Sequence, residues 1–263
     1  MTKVVMITGG SSGIGLAAAE MFRKAGWQVA ELSRRGESRE GVRHFTADIQ
    51  NEAEVIAAVA QVSESFGRID VLINNAGFGI SGAAEFTGSE QAARQLQVNY
   101  LGMVHATKAV LPILRAQGGG TVLNVSSVAA FIPIPFQAHY SASKAAVTAF
   151  SKALALELRP FGIRVAAVQP GDIRTGFTAA RASTYEGDDL YNGRIGRSVA
   201  RMERDEQNGM SPNAVANCLL RLAEKKRLAP ACTVGFSYRL IDLAARLLPS
   251  AWVSRIVALL YAK

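Results

Sequence analysis

The chain has 263 residues, 49% of them hydrophobic and 19% charged, and a formal net charge of +8 at neutral pH. That balance provides enough apolar material for a sizeable core and excludes a low-complexity or fibrous protein. The basic excess would suit an anionic ligand or an anionic membrane surface. No Lys/Arg run interleaved with aromatics supports nucleic-acid binding, which is not expected.

The chain opens MTKVVMITGG, a strand that starts at once, with no apolar leader and no cleavage site, so a cytoplasmic protein is expected. No uncharged apolar run is long enough to span a bilayer. Short β-rich runs are predicted at 3–8, 27–33, 42–46, 70–74, 121–126, 163–169 and, more weakly, 231–235. Amphipathic helical patterns fall between most of them, at 13–25, 51–66, 89–116, 138–158 and 212–226. Continuous apolar strands joined by helices predict an α/β fold in which a parallel sheet is covered on both faces. With no internal repeat and no low-complexity linker, residues 1–263 read as one domain.

The first strand runs into TGGSSGIG (8–15), whose spaced glycines are Gly9, Gly13 and Gly15. Glycine permits a tight turn and a close approach of backbone to phosphate, and the helix that follows presents free N–H groups to an anion. The spacing GxxxGxG differs from the common GxGxxG fingerprint, so a plain structural turn stays open at this point. The second strand ends Ser33-Arg34-Arg35. An arginine there accommodates the 2′-phosphate of NADP, whereas an acid would bind the ribose hydroxyl of NAD. NADP(H) is therefore the expected cofactor, with Arg34 as first contact and Arg35 as second, and NAD(H) the lesser choice. Glu31 is the objection, discounted because it sits inside the strand and not at its tip.

Tyr140 precedes Lys144 by four residues, one helical turn, so the two share a face. A phenol beside an ammonium suits proton transfer better than it suits a core. A neighbouring cation stabilises the phenolate, and Lys144 and the oxidised nicotinamide, which can both supply positive charge, are expected to lower the phenol pKa by ~2–3 units from its usual value of about 10.

Two stretches break the alternation. Residues 172–210 are polar, rich in Gly and Arg and poorly periodic, and read as a lid over a functional site, with helical order returning at Ser211-Pro212. Arg194, Arg197, Arg201 and Arg204 of this lid would be compatible with an anionic group on a substrate. From residue 237 to the end, two amphipathic stretches flank Pro249, with Arg239, Arg246, Arg255 and Lys263 set against the single acid Asp242. Such helices can lie in a membrane interface or pack on their own domain or a second subunit. The second reading is preferred, and peripheral membrane contact stays open. Cys218 and Cys232, far from any CxxC spacing, are expected to be reduced thiols.

Taken in order, TGGSSGIG, NNAG (74–77), Asn99, Ser126-Ser127, YSASK (140–144) and PGDIRT (170–175) make the chain resemble the short-chain dehydrogenase/reductase family, over residues 3 to about 230. The resemblance implies a Rossmann-like, doubly wound sheet of seven parallel strands in the order 3-2-1-4-5-6-7, with ligands at the carboxyl ends of the strands. It implies catalytic roles for Asn99, Ser127, Tyr140 and Lys144, with the serine thirteen residues before the tyrosine selecting Ser127 over Ser126. In that family the lysine also holds the nicotinamide ribose, and the asparagine steadies a water leading to the lysine. Cofactor contacts are implied for Gly9, Ser11, Ser12, Gly13, Ile14, Gly15 and Ser33, for Asp48 and Ile49 at the adenine, and for Asn75, Ala76 and Gly77 near the adenosine ribose. Pro170, Gly171, Ile173 and Thr175 would frame the nicotinamide. His139 matches no family role and reads as a pocket-rim residue. The substrate pocket is expected from Val128, Ala129, Phe131, Ile132, Pro133 and Gln137 together with the lid. No metal site is implied, and pairing of subunits through 89–116 and 138–158, giving a homo-oligomer, is usual in the family.

The expected activity is NADP(H)-dependent interconversion of an apolar alcohol and its ketone or aldehyde. It would be of the hydroxysteroid, retinol or carbonyl-reductase kind that the tail resembles. The alternatives are a 3-oxoacyl thioester reductase, whose anionic carrier would meet the lid arginines, and a non-catalytic NADP-binding regulator.

Overall fold

The computed structural model of the protein describes residues 2–262. The chain runs β1 (Val4–Thr8), α1 (Gly13–Lys24), β2 (Gln28–Ser33), β3 (Val42–Thr46), α2 (Glu52–Phe66), β4 (Val71–Asn74), β5 (Ile80–Ser81), α3 (Ser89–Leu96), α4 (Gly102–Ala116), β6 (Gly120–Val125), α5 (Ala138–Glu157) and β7 (Ile163–Pro170). It continues through α6 (Phe177–Ala180), β8 (Ala182–Ser183), α7 (Arg194–Gln207), α8 (Pro212–Glu224), β9 (Ala231–Val234), α9 (Phe236–Leu247) and α10 (Ser250–Tyr261).

Seven strands form one parallel sheet in the order β3-β2-β1-β4-β6-β7-β9, which is the expected doubly wound order once the two-residue strands β5 and β8, paired with each other, are set aside. The central strands bury mainly apolar side chains on both faces. In β1, Val5 and Ile7 face a core built with Phe22 and Trp27 of the α1 side and Val215 and Leu219 of α8. Met6, between them, faces the opposite core with Val55 and Val59 of α2, Val110 and Leu114 of α4 and Leu154 of α5. This period-two division is what burial of both sheet faces demands. A buried polar ladder crosses the second core: Asn74 Nδ2 donates to Asn124 Oδ1 (2.8 Å) and Thr107 Oγ1 (2.9 Å), and Asn124 Nδ2 to Ser151 Oγ (2.8 Å).

Two parts of the chain depart from expectation. The helix predicted across 89–116 contains a π-turn at Gln97–Leu101 between α3 and α4. One extra residue per turn there buries Asn99, the kind of local rewinding found at functional sites. The stretch 172–210 is not irregular throughout, because α7 occupies its second half. Ile195, Ser198, Val199 and Met202 form a buried stripe at helical spacing that the surrounding arginines and glutamates obscure in the sequence. The two tail helices form on either side of Pro249 as predicted and fold back over the sheet's carboxyl edge. Tyr261 donates to Asp205 Oδ2 (3.0 Å), and Arg194 Nε to the Ala262 carbonyl (2.6 Å), so α10 seats on α7. Lys263 lies outside the described residues. Among the described residues no helix is long and apolar enough to cross a membrane.

Candidate active site

The carboxyl ends of β1, β2, β4, β6 and β7 open into one cavity of about 1130 Å³. Of the residues expected to hold cofactor or catalyse, all but Gly15 and Asn99 line it.

At one end lies the glycine turn. Gly9 has φ +66°, and a Cβ there would stand 2.9 Å from the Ala76 Cα. A Cβ on Gly15 would meet the Gly9 carbonyl oxygen at 2.2 Å, so Gly15 supports the turn from behind and does not face the cavity. Asn75, expected beside the adenosine ribose, also braces this turn through Nδ2 bonds to the Thr8 and Gly9 carbonyls (3.1 and 3.0 Å). The first turn of α1 holds no acidic residue, and its N-cap Ser12 makes no side-chain bond to it. A glycine cradle and open N–H groups at a helix end fit a dinucleotide pyrophosphate. Arg34 and Arg35 line the same end, and Arg34 lies 3.9 Å from the Asp48 carboxylate. Glu31 does not line the cavity. It is buried against His44 Nδ1, behind Gly10 and Gly36.

At the other end, α5 carries Tyr140 and Lys144. The Lys144 ammonium lies 5.8 Å from the Tyr140 ring centre and donates to the Val125 carbonyl at 2.9 Å. The two adjacent serines have separated tasks. Ser126 Oγ is buried, donating to the Lys144 carbonyl (2.8 Å) and sharing a bond with Thr148 Oγ1 (2.8 Å). Ser127 Oγ accepts from the Ala129 amide (3.1 Å) and lines the cavity beside the Tyr140 phenol, whose charged form it favours. Asn99 is sunk behind the cavity wall. It accepts from the Phe78 amide and donates to the Phe78 carbonyl and Ser143 Oγ, each at 3.0 Å.

Burial, which the sequence does not reveal, works against the expected fall of the Tyr140 pKa. It pushes the phenol up to about 12, with Ser127 working the other way. Burial also lowers Lys144, to about 8. Removing charge from water costs more here than a partner 5.8 Å from the ring returns.

The walls near Tyr140 are largely apolar. Val128, Ala129, Ile132 and Gln137 line the cavity as expected, whereas Phe131 and Pro133 do not. His139 does not reach the rim, and its Nε2 is buried without a partner. The largest correction concerns the lid. Arg194, Arg197, Arg201 and Arg204 do not line the cavity; α7 presents Met202 and Glu206 to it instead. The tail, which sequence patterning could not place, supplies a whole wall through Tyr238, Ile241, Leu248, Val257 and Leu260.

The family model for short chain dehydrogenases matches residues 3–186. A 3-ketodihydrosphingosine reductase of Bacteroides thetaiotaomicron is 41% identical over 228 residues, covering 85% of this chain and 84% of the relative. Among solved structures, a short-chain dehydrogenase from Streptomyces avermitilis superposes with a TM-score of 0.83 at 30% identity, covering 97% of this chain and 98% of that one. A 3-ketoacyl-(acyl-carrier-protein) reductase from Brucella melitensis complexed with NADH gives 0.75 at 30% identity, over 88% and 95%. This chain belongs to the short-chain dehydrogenase/reductase family and is an oxidoreductase acting on CH–OH groups.

Proposed function

We propose that the protein is an NADP(H)-dependent reductase that interconverts an apolar alcohol and its ketone or aldehyde. The observation that carries this reading is the single cavity that joins the glycine cradle and Arg34 to Tyr140 and Ser127, roofed by apolar tail helices. The dinucleotide, when bound, supplies or accepts the hydride. Gly9, Ser11, Ser12, Gly13 and Ile14 would hold its pyrophosphate, and Arg34 with Arg35 the 2′-phosphate, a preference supported by the turning of Glu31 away from the cavity. Lys144 would bind the nicotinamide ribose.

A phenol held near 12 keeps its proton at neutral pH, which makes Tyr140 a donor to a carbonyl oxygen during reduction. Ser127 would hold that oxygen by a second hydrogen bond. Asn99 fixes the Phe78 backbone beside this end and acts as a positioning residue. The thioester alternative loses the basic lid that motivated it, since those arginines face elsewhere. The 41% identical relative is named as a reductase of a keto compound, in keeping with ketone reduction.

Phe236, Leu240, Leu243 and Leu247 are exposed along one face of α9, and Trp252 and Leu259 on α10, opposite the cavity-lining side. These support peripheral contact with a membrane surface from which an apolar substrate would be drawn. Exposed Leu96, Leu101 and Leu156 support pairing of two copies through the long helices. Oxidation of NADPH and NADH by a panel of long-chain ketones, aldehydes and oxoacyl thioesters tests the reading. Ketone- or aldehyde-dependent oxidation of NADPH is expected, and its absence across the panel would remove it.

A further inference from the structure

The two cysteines of the chain lie on neighbouring elements: Cys218 on α8, and Cys232 on β9, the edge strand of the sheet. Both belong to the core between the sheet and α8, where Cys218 is 4% exposed and Cys232 packs against it half-buried. Their sulfurs stand 4.0 Å apart, and neither residue lines the cavity. Among the described residues no group of three His, Cys, Asp or Glu side chains could hold a metal, so the pair is not part of a metal site. What remains is the chemistry of two adjacent thiols.

The two are not equivalent. Cys232 is the one that solvent reaches. The Cys218 hydrogen bond favours its thiolate, and the cations Arg239, Lys225 and Arg221 add to this against burial, so its pKa is lowered. The same hydrogen bond, then burial, raises that of Cys218. An accessible thiolate beside a protected thiol is the arrangement in which one sulfur attacks and the other resolves. A disulfide needs an S–S distance of about 2.05 Å, so the sulfurs must close by about 2 Å, within reach of side-chain rotation. Thr233, the next residue, holds α9 twice: its Oγ1 donates to Asp242 Oδ2 (3.1 Å), and its carbonyl accepts from Arg239 Nε (3.0 Å). A crosslink at Cys232 therefore ties α8 to the strand from which the tail wall of the cavity departs.

We propose that Cys232 and Cys218 form a reversible, peroxide-responsive disulfide site, with Cys232 attacking and Cys218 resolving. The Cys232 thiolate attacks one oxygen of hydrogen peroxide. The O–O bond breaks, and hydroxide leaves with the bonding pair and takes up a proton to become water. Cys232 is then a sulfenic acid. The Cys218 sulfur displaces its hydroxyl group, forming the S–S bond, and that hydroxide leaves with the Cys218 proton as a second water. The two sulfurs together give up two electrons, which the peroxide gains. A dithiol reductant reverses the change by exchange. The site is independent of the reductase reading.

The test exposes the full-length, reduced protein to hydrogen peroxide and reads its intact mass, thiol count and peptide map. Both thiols should disappear together with the mass of two hydrogens. The map should show a crosslink between residues 218 and 232 of the same chain, and dithiothreitol should restore both thiols. Cys218→Ser should stop at a sulfenic acid on Cys232 that a cyclic diketone traps. In Cys232→Ser, Cys218 should react at least about tenfold more slowly. Two thiols that stay free in excess peroxide, a crosslink formed only between chains, or trapping at Cys218 as fast as at Cys232 overturns the proposal. The wild-type mass and map stand as a test even if the variants fold poorly.

Discussion

The Tyr238 hydroxyl donates to Asp172 Oδ2 at 2.5 Å, tying the first tail helix to the loop that leaves the last long strand. The same ring lies over Gly171, where an added Cβ would come within 2.2 Å of the ring carbon bearing the hydroxyl. The tail is thereby seated at the reacting end of the cavity and not merely appended to the domain.

Gly171→Ala should consequently lift α9 off the cavity. Overpacking of this kind costs about 1–3 kcal/mol. Faster proteolysis within residues 235–250 and a severalfold higher KM for long-chain substrates are expected, with a smaller effect on short ones. Limited digestion beside chain-length kinetics checks both.

The two serines should separate cleanly. If Ser127 donates to the substrate oxygen as proposed, Ser127→Ala should lower kcat about 10²–10³-fold with little change in Tm. Ser126→Ala deletes buried bonds to Lys144 and Thr148 and should cost roughly 1–3 kcal/mol of stability, with the smaller effect on kcat. Thermal denaturation paired with steady-state kinetics distinguishes them.

Lys144 titrates near 8, lowered by burial, so its charge is complete below about pH 7 and lost as pH rises past 8. If that charge holds the dinucleotide ribose and supports Tyr140, kcat/KM for reduction should be flat at neutral pH and fall above about 8. A pH profile of the wild-type protein shows it, and Lys144→Ala should remove the step along with most of the rate.

Arg34→Asp reverses the charge at the cavity's dinucleotide end. The ratio of kcat/KM for NADPH over NADH should drop about 10–100-fold, the worth of a charge-assisted contact. An unchanged ratio would assign the 2′-phosphate to other residues.

Much of the sheet was legible because each strand is a continuous apolar run bounded by turns and each covering helix carries one apolar stripe. The cradle and the Tyr140–Lys144 pair were legible because their chemistry is compressed into short motifs. What could not be read depends on distant partners. The buried stripe of α7 is diluted by charged neighbours, and only the fold turns its arginines away and Glu206 inward. Sequence spacing likewise gave no reason to bring Cys218 and Cys232 together, yet α8 and β9 place their sulfurs 4.0 Å apart, as free thiols. The upward pull of burial on Tyr140 was not legible, because a neighbouring cation is visible in sequence and the depth of burial is not.

The most direct test of the account is single-turnover oxidation of bound NADPH by a long-chain ketone in wild-type protein and in Tyr140→Phe. The wild type should oxidise the cofactor, and the variant should bind NADPH within a fewfold of wild-type affinity yet turn over about 10²–10⁴-fold more slowly. Oxidation by Tyr140→Phe at the wild-type rate would contradict the assignment of the proton to Tyr140.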